Sequence, residues 1–422
     1  MLDIKFIREN SDLVKEAARK KHLSFDVVKL LEVDKERLTL MTEIEQMRAK
    51  QNQVSVEITK TQDQNAKMVL IYDMKLVKEE MQKKDEVLAK IMKSWRELML
   101  AVPNIPDMSV PEGGSDKENV EVRSWGQPRQ FTFEPKSHID LMIKNDLVDF
   151  DRGIKVGGFR GYILKNEGAR MSMAVWQFVM DELTPKGFTP MIVPSLVRKE
   201  AFLGTGYLPQ GEEDLYKTQD GTYLSGTAEV GTMAYYMDEV LKKEELPKKM
   251  ISFNTCYRRE AGSHGKDTKG LYRVHEFNKV EQVVLCEASH EQSVKLHEEL
   301  TVNAEVLLQA LKLPYHVVLN CGGDLGLGQV KKYDIEAWIP SENRYGETHS
   351  SSYFHDFQTR RLNIRYKDQI DGKLRFAHSL NNTALATPRL LISIVENYQN
   401  EDGTITVPEV LRKYVGKDLI SR

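Results

Sequence analysis

The sequence predicts an α+β fold in two parts, a helical hairpin followed by a domain built on an antiparallel β-sheet. Three observations carry that prediction. Residues 27–100 contain no Pro and no Gly, and their apolar side chains recur at alternating steps of four and three, the seam of a coiled coil. Pro103 and Pro106 then end the helical pattern, because proline lacks the N–H a helix interior needs. Beyond them, the strand-like runs MIVPSLV, KMISFNTCYRR, YRVHEFNKVEQVVL and YDIEAWI occur without regularly alternating helices. That pattern favours an antiparallel sheet over a doubly wound one.

The hairpin is read from two seams. One runs Leu40, Ile44, Met47, Gln51, Val54, Ile58, and the other Leu70, Met74, Val77, Met81, Lys84, Leu88, Ile91, Trp95, Leu98. The polar stretch Lys60 to Lys67 between them suits a hairpin tip. From Val27 to Ile58 such a helix extends roughly 45 Å. A coiled coil between two chains is the ordinary alternative. The similar lengths of the seams and the short break between them favour pairing within one chain. The expected organisation is therefore a helical arm over residues 1–104, a linker over 105–135 containing VPEGG and SDKEN, and a second domain over 136–422. Within that domain Gly168 to Leu183 and Pro388 to Tyr398 have helical spacing.

A chain of 422 residues has room for two or three domains. Its 41% hydrophobic and 29% charged residues are globular in balance, and its net charge of −3 leaves nucleic-acid binding to a local basic face. Cys256, Cys286 and Cys321 are few and widely spaced, as expected of a reducing compartment. No cysteine–histidine spacing suits zinc. The start MLDIKFIREN lacks the apolar core of a secretory signal, and no apolar run reaches membrane-spanning length. The expectation is a soluble cytoplasmic protein with no membrane partner.

The segment CYRREAGSHGKDTKGLYRVHEFNKVE, residues 256–281, is the richest in chemistry. Two strands joined by a basic, turn-rich loop make a clamp for a nucleotide. Arg258 can grip a phosphate through paired hydrogen bonds, and Phe277 can stack on a base. Alone, an arginine is usually solvated and a strand phenylalanine usually core; together they are harder to explain so. Two glycine patterns carry no such meaning. Gly262 to Lys266 lacks the spacing of a P-loop, and Cys321 to Gly328 lacks a strand–loop–helix context. In LSGTAEV, Thr227 and Glu229 stand two residues apart on a strand and so face the same side, where they can hold an ammonium. In ETHSSS, Glu347 and Ser350 offer hard oxygens suited to Mg²⁺. Arg389 opens the last long helix, a place that favours anions.

These segments, in this order, resemble the class II aminoacyl-tRNA synthetases. Residues 256–281 are similar to their motif 2, KGFTPMIVPSL with Gly187, Phe188 and Pro194 to motif 1, and SLNNTALATPRLLISIVENYQ to motif 3. The wording EAGS, D-T-x-G-L and F-x-K-V-E, the PNIPD…VPEG junction and DFQTRRLNIRY resemble the seryl-tRNA synthetases in particular. The resemblance spans nearly the whole chain, arm included.

It implies an N-terminal antiparallel coiled-coil arm plus a class II catalytic domain that joins L-serine to serine tRNA at the expense of ATP. It implies that Arg258, Arg259 and Glu260 contact ATP, with Arg258 at the α-phosphate, and that Val274 and Phe277 line the adenine. Glu347, Thr348, His349 and Ser350 would contact ATP and its Mg²⁺, the metal lying on Glu347 and Ser350. Arg389 would hold the γ-phosphate and, with Arg258, do the catalytic work. Thr227, Ala228, Glu229, Arg258, Glu281 and Thr383 would hold serine, with Glu281 and Thr383 nearest its hydroxyl. Motif 1 implies a homodimer. The arm, which carries Lys35, Arg37, Arg48, Lys50, Lys60, Lys67, Lys75, Lys78, Lys83 and Lys84, would meet the long variable arm of serine tRNA. Whether a selenocysteine tRNA is also charged stays open.

The chain departs from the family pattern in places. Asn382, Ala384 and Ala386 stand where class II motif 3 usually has glycines, His349 where many members have Ser, and Gly226 where many have Pro. A related ligase that loads carrier proteins would lack the arm and bind zinc. A paralogue turned interaction protein would have lost some of Arg258, Glu260, Glu281, Glu347 and Arg389.

Overall fold

The computed structural model describes residues 1–262 and 269–422. Residues 263–268 of the basic loop, and with them most of the Gly262–Lys266 pattern, lie outside the described residues. The chain divides into two compact units. One comprises Leu2–Arg19 and Leu23–Pro103; the other comprises Met1, Lys20–His22 and Asn104–Arg422.

The first unit is helical. Its two long helices are α1 (Val27–Lys60) and α2 (Gln64–Ala101). Asp26 caps the first by accepting from the Lys29 N–H, and Asp63 caps the second by accepting from the Asn65 N–H. Only residues 61–63 separate the helices, so the chain reverses at once and they pair antiparallel. Ion pairs link Lys84 to Glu43 at 2.8 Å and Arg48 to Asp85 at 3.5 Å. Every residue of the two predicted seams is partly or fully shielded, while most of their neighbours are exposed. At the base of the hairpin the carboxylate of Asp34 is almost completely buried. It accepts from Arg8 Nε at 2.7 Å, Arg37 Nη2 at 2.9 Å and the Trp95 indole N–H at 2.9 Å. The Arg37 guanidinium also lies 4.7 Å from the centre of the Trp95 ring. A buried charge is tolerated where its lone pairs are matched in this way.

The second unit is built on an eight-stranded sheet. In chain order its strands are β1 (Val120–Trp125), β2 (Thr189–Ile192), β3 (Lys248–Tyr257), β4 (Glu276–Cys286), β5 (Tyr315–Leu319), β6 (Lys331–Ile339), β7 (Arg344–His355) and β8 (His378–Thr387). They lie in the order β1-β5-β6-β7-β8-β4-β3-β2. All neighbours are antiparallel except β2 and β3. The stretch read as a linker, 105–135, thus contains a strand. The alternation Val-Glu-Val-Arg-Ser-Trp pairs from Val120 opposite Leu319 to Trp125 opposite Tyr315, with one irregularity between Glu121 and Arg123.

Helices α3 (Asn166–Leu183) and α4 (His290–Ala310) contribute Val175, Phe178, Leu300 and Leu307 to the core, together with the sheet residues Val280, Val284, Leu380 and Leu385. The polar side chains Asn303, Gln282 and Asn382 run through this packed layer. Asn303 donates to Gln282 at 2.9 Å, and Gln282 donates to Asn382 at 2.6 Å. Helix α5 (Arg389–Asn397) follows directly from β8. Among the described residues no helix is long and apolar enough to cross a membrane.

Candidate active site

The central strands β4, β6, β7 and β8 line one continuous cleft. A cavity of ≈ 150 Å³ opens into one of ≈ 940 Å³, and Arg258, Glu260, Tyr272, Arg273, Glu347 and Arg389 border both. Of the residues expected to bind substrate, Arg258, Glu260, Val274, Phe277, Glu347, Thr348, His349, Ser350, Arg389, Glu229, Glu281 and Thr383 line the smaller cavity, and Thr227 lines the larger. Arg259 and Ala228 line neither. Arg259 is exposed and its N–H is tied to the Asp214 carbonyl at 2.9 Å, while Ala228 is wholly buried at the start of a helix.

Acidic groups gather at one part of this cleft. Glu281 on β4 and Thr383 on β8 stand opposite each other, and the Thr383 hydroxyl donates to the Glu281 carboxylate at 3.4 Å. Lys279 lies two residues before Glu281, hence on the same face, and pairs with it at 2.5 Å. Glu229 is fixed by two donors, the Tyr207 hydroxyl at 2.9 Å and the Gln358 amide at 2.6 Å. Burial raises the Glu229 carboxyl above its ordinary value, and the charge of Glu281 raises it further. Burial also raises Glu281, against the lowering effect of Lys279. Two carboxylates against one ammonium leave a net negative charge, a match for a small cation that donates hydrogen bonds.

Cationic and aromatic groups line the adjoining part. The Arg258 guanidinium lies 5.3 Å from the centre of the Phe277 ring, and its Nε donates to the Gly226 carbonyl at 3.3 Å. A Cβ at position 226 would stand 3.1 Å from Arg258 Cγ, so the glycine lets the arginine lie close to the backbone. Arg273 pairs with Glu260 at 3.1 Å. Arg389, the first residue of α5, donates to the Glu347 carbonyl at 3.0 Å and pairs with its carboxylate at 3.4 Å. Its guanidinium also lies 4.4 Å from the Tyr272 ring, with Arg344 at 5.2 Å from the same ring. Each of these arginines thus has a protein partner that orients its guanidinium.

Glu347 and Ser350 are three residues apart, which in a regular strand would put them on opposite faces. A bulge prevents this. Ile335 pairs with His349 and Glu336 with Glu347, so Thr348 is the extra residue. Asp334 then faces Ser350 and Glu336 faces Glu347, and all four share one side of the sheet. Burial pushes the Glu347 carboxyl up, but Arg389, Lys332 and Arg258 outweigh it and hold it below the usual range. An ionised carboxylate beside a hydroxyl fits a hard divalent cation.

His349 pairs with Ile335, a fully buried core residue on the reverse side. Burial lowers its imidazole to about 4, so the ring is neutral where the residue borders the smaller cavity. The expectation that Thr227 and Glu229 share a strand face is corrected. Thr227 is the N-cap of helix Ala228–Ala234, and its hydroxyl accepts from the Glu229 N–H at 3.2 Å.

Sequence reading passed over Lys279, Tyr207, Tyr272, Arg344 and Gln358. Lys279 had a visible signal, a lysine two residues before a glutamate on the same face of one strand. The others come together only through the tertiary fold. The departures at motif 3 divide: Ala386 lines the cleft, Asn382 belongs to the polar layer described above, and Ala384 is the residue skipped where Glu281 meets Thr383.

Two family models match the chain, the seryl-tRNA synthetase N-terminal domain over residues 1–106 and the tRNA synthetase class II core domain (G, H, P, S and T) over 214–398. The serine–tRNA ligase of Deinococcus radiodurans is 44% identical, the match covering 99% of this chain and 98% of the relative. That of Thermodesulfovibrio yellowstonii is 45% identical, with 100% of both chains covered. Among solved structures, the seryl-tRNA synthetase of Pyrococcus horikoshii complexed with ATP superposes with a TM-score of 0.92 at 38% identity, over 100% of this chain and 99% of the other. The cytoplasmic enzyme of Naegleria fowleri in complex with AMP gives 0.87 at 33%, over the same shares.

Proposed function

The chain belongs to the seryl-tRNA synthetase family, and from that membership we propose how its own residues divide the work of the reaction. The enzyme binds ATP, activates L-serine as seryl-adenylate, and transfers the seryl group to the 3′ end of serine tRNA. The observation that carries the residue assignment is the single cleft in which a paired-carboxylate pocket adjoins Arg258 and Arg389.

Glu229 and Glu281, less the one charge of Lys279, receive the serine ammonium, with Thr227 beside them. Thr383 and Glu281 read the hydroxyl. This leaves the serine carboxylate directed toward Arg258. The carboxylate oxygen attacks the α-phosphorus in line; the bond to the bridging oxygen breaks, and pyrophosphate leaves. Arg258 neutralises charge at the α-phosphate and Arg389 at the γ-phosphate, while Val274 and Phe277 border the adenine. Glu347 and Ser350 would hold a Mg²⁺ that arrives with ATP, which supplies further neutralisation of the phosphate oxygens. The terminal ribose hydroxyl of the tRNA then attacks the activated carbonyl and releases AMP. No side-chain nucleophile is required. Catalysis rests on orientation and on charges fixed in advance.

The basic helical arm receives the long variable arm of serine tRNA, and the protein works as a cytoplasmic homodimer. Three buried, unpaired cysteines suit that compartment. Serine-dependent exchange of labelled pyrophosphate into ATP tests the reading. Exchange with serine well above that with alanine or threonine is expected, and no serine-dependent exchange would sink it.

A further inference from the structure

Beside Glu347 and Ser350, on the same face of the sheet, strand β6 carries Lys332, Asp334 and Glu336. Glu336 is already engaged by His316 at 2.6 Å. Lys332 is not a surface lysine; its side chain is 15% exposed. Its ammonium lies 3.1 Å from Asp334 Oδ2 and 3.6 Å from Asp324 Oδ2. The Asn320 amide ties the same two carboxylate oxygens together, donating to each at 2.6 Å. Among the described residues, Asp334 Oδ1 and Asn320 Oδ1 have no hydrogen-bond partner. Asp334 is only 6% exposed and Asn320 is fully buried. Lys332, Asp334 and Asp324 all border the larger cavity, as Glu347 does.

Unpartnered buried oxygens are costly unless something cationic sits near them. Two carboxylate oxygens, Asp324 Oδ2 and Asp334 Oδ2, converge on one point at the wall of the cleft, and such hard oxygens are the donors that divalent cations take. Here a lysine stands at that point. We propose that Lys332 is the resident cation of this end of the cleft, its ammonium occupying the place between Asp324 and Asp334 that a second divalent ion would otherwise fill. The enzyme then requires only the divalent ion that accompanies the nucleotide at Glu347 and Ser350. This rests on the metal assignment made above for those two residues. It also makes Lys332 a positioning residue, because its ion pair holds the carboxylate of Asp334, the residue that strand pairing sets opposite Ser350.

The experiment is a Mn²⁺ titration of the nucleotide-free, full-length protein, followed by electron paramagnetic resonance, on wild type, Lys332→Gln, and Lys332→Gln combined with Asp334→Asn. Removing the ammonium should create a Mn²⁺ site at least about tenfold tighter than any in the wild type, the expected scale for losing one nearby unit charge. The double variant should lose that site again. Equal Mn²⁺ affinity in wild type and Lys332→Gln overturns the proposal, as does a gain that survives Asp334→Asn. If Lys332→Gln folds poorly, its thermal midpoint should climb with Mn²⁺ more steeply than that of wild type, and a midpoint indifferent to Mn²⁺ counts against the proposal. Pyrophosphate exchange by the wild type judges the functional reading separately, because the Mn²⁺ result does not depend on catalysis.

Discussion

Thr383 and Glu281 meet across a bulge. Val280 pairs with Leu385 and Glu281 with Thr383, so Ala384 is passed over and a hydroxyl is brought 3.4 Å from a buried carboxylate. Thr383→Val keeps the shape of this contact and removes its donor. Losing a hydrogen bond to a charged group costs about 1.5–3 kcal/mol. The kcat/KM for serine activation should therefore fall by roughly 10- to 100-fold, while the weak activation of alanine stays almost unchanged. Parallel losses for both amino acids would place hydroxyl recognition elsewhere in the cleft.

The raised carboxyls of Glu229 and Glu281 give a pH signature. Both are lifted chiefly by burial, so in the free enzyme they take up protons at a higher pH than exposed glutamates do. The charge that should receive the serine ammonium is then lost early, and KM for serine should rise as pH falls toward the raised pKa, before ordinary carboxylates titrate. For stability the sign is opposite. A raised pKa means that the folded state holds protons the unfolded chain has released, so this contribution is present at low pH and lost as pH rises through the folded value. Glu281→Gln should thus raise the melting temperature of the free enzyme more at pH 8 than at pH 5, while abolishing tight serine binding. A melting gain that is the same at both pH values would contradict this.

The arm was legible because a coiled-coil seam is local; steps of four and three fix which side chains are shielded without reference to the rest of the chain. The cleft was legible only in its residue types. Glu347 and Ser350 share a face because Thr348 is extra, and Glu281 meets Thr383 because Ala384 is skipped. A bulge is a relation between two strands, and neither strand's sequence announces it. The same holds for Thr227. Read alone, Thr-Ala-Glu fits a strand; only the following Val-Gly-Thr-Met-Ala, folded as a helix, makes the threonine a cap. Tyr272 and Arg344 were missed for a related reason, since an aromatic ring flanked by guanidinium groups from β7 and α5 exists only once those elements converge.

Asp34 is the point at which the helical unit is most easily damaged. Its carboxylate accepts from Arg8, Arg37 and Trp95 while almost fully buried. Asp34→Ala leaves two arginines without their counter-charge, a type of loss that costs about 3–5 kcal/mol when one partner of a buried pair is removed. Circular dichroism should show the helical signal melting earlier, with serine activation intact at lower temperature. A melting profile like that of the wild type would mean that solvent replaces the carboxylate without penalty.

The dimer proposed from motif 1 would cover apolar side chains of that segment. Ile192 on β2 and Leu196 just after it are 85% and 54% exposed in the single chain. Light scattering at dilute concentration should give a mass near twice 48.5 kDa, and Ile192→Asp should shift it toward one chain. A wild-type mass that stays at one chain would contradict the dimer.

The arm supplies the sharpest test of tRNA charging, because every cleft residue belongs to the other unit. Arg37 is taken up by Asp34 and Trp95; on the proposed reading the exposed lysines and arginines of the arm meet phosphates and the shape of an RNA helix rather than base edges. Replacing residues 30–98 with a short Gly/Ser linker should leave serine-dependent pyrophosphate exchange nearly unchanged. Aminoacylation of serine tRNA should fall by roughly two orders of magnitude or more, the loss expected when several phosphate contacts vanish together. In the intact enzyme, tRNA affinity should drop steeply with added salt, whereas KM for serine should move little, since buried pairs are screened far less than exposed ones. If the armless protein charged serine tRNA at a near-normal rate, recognition of the tRNA would have to lie in the catalytic unit, and the basic helices would need another partner.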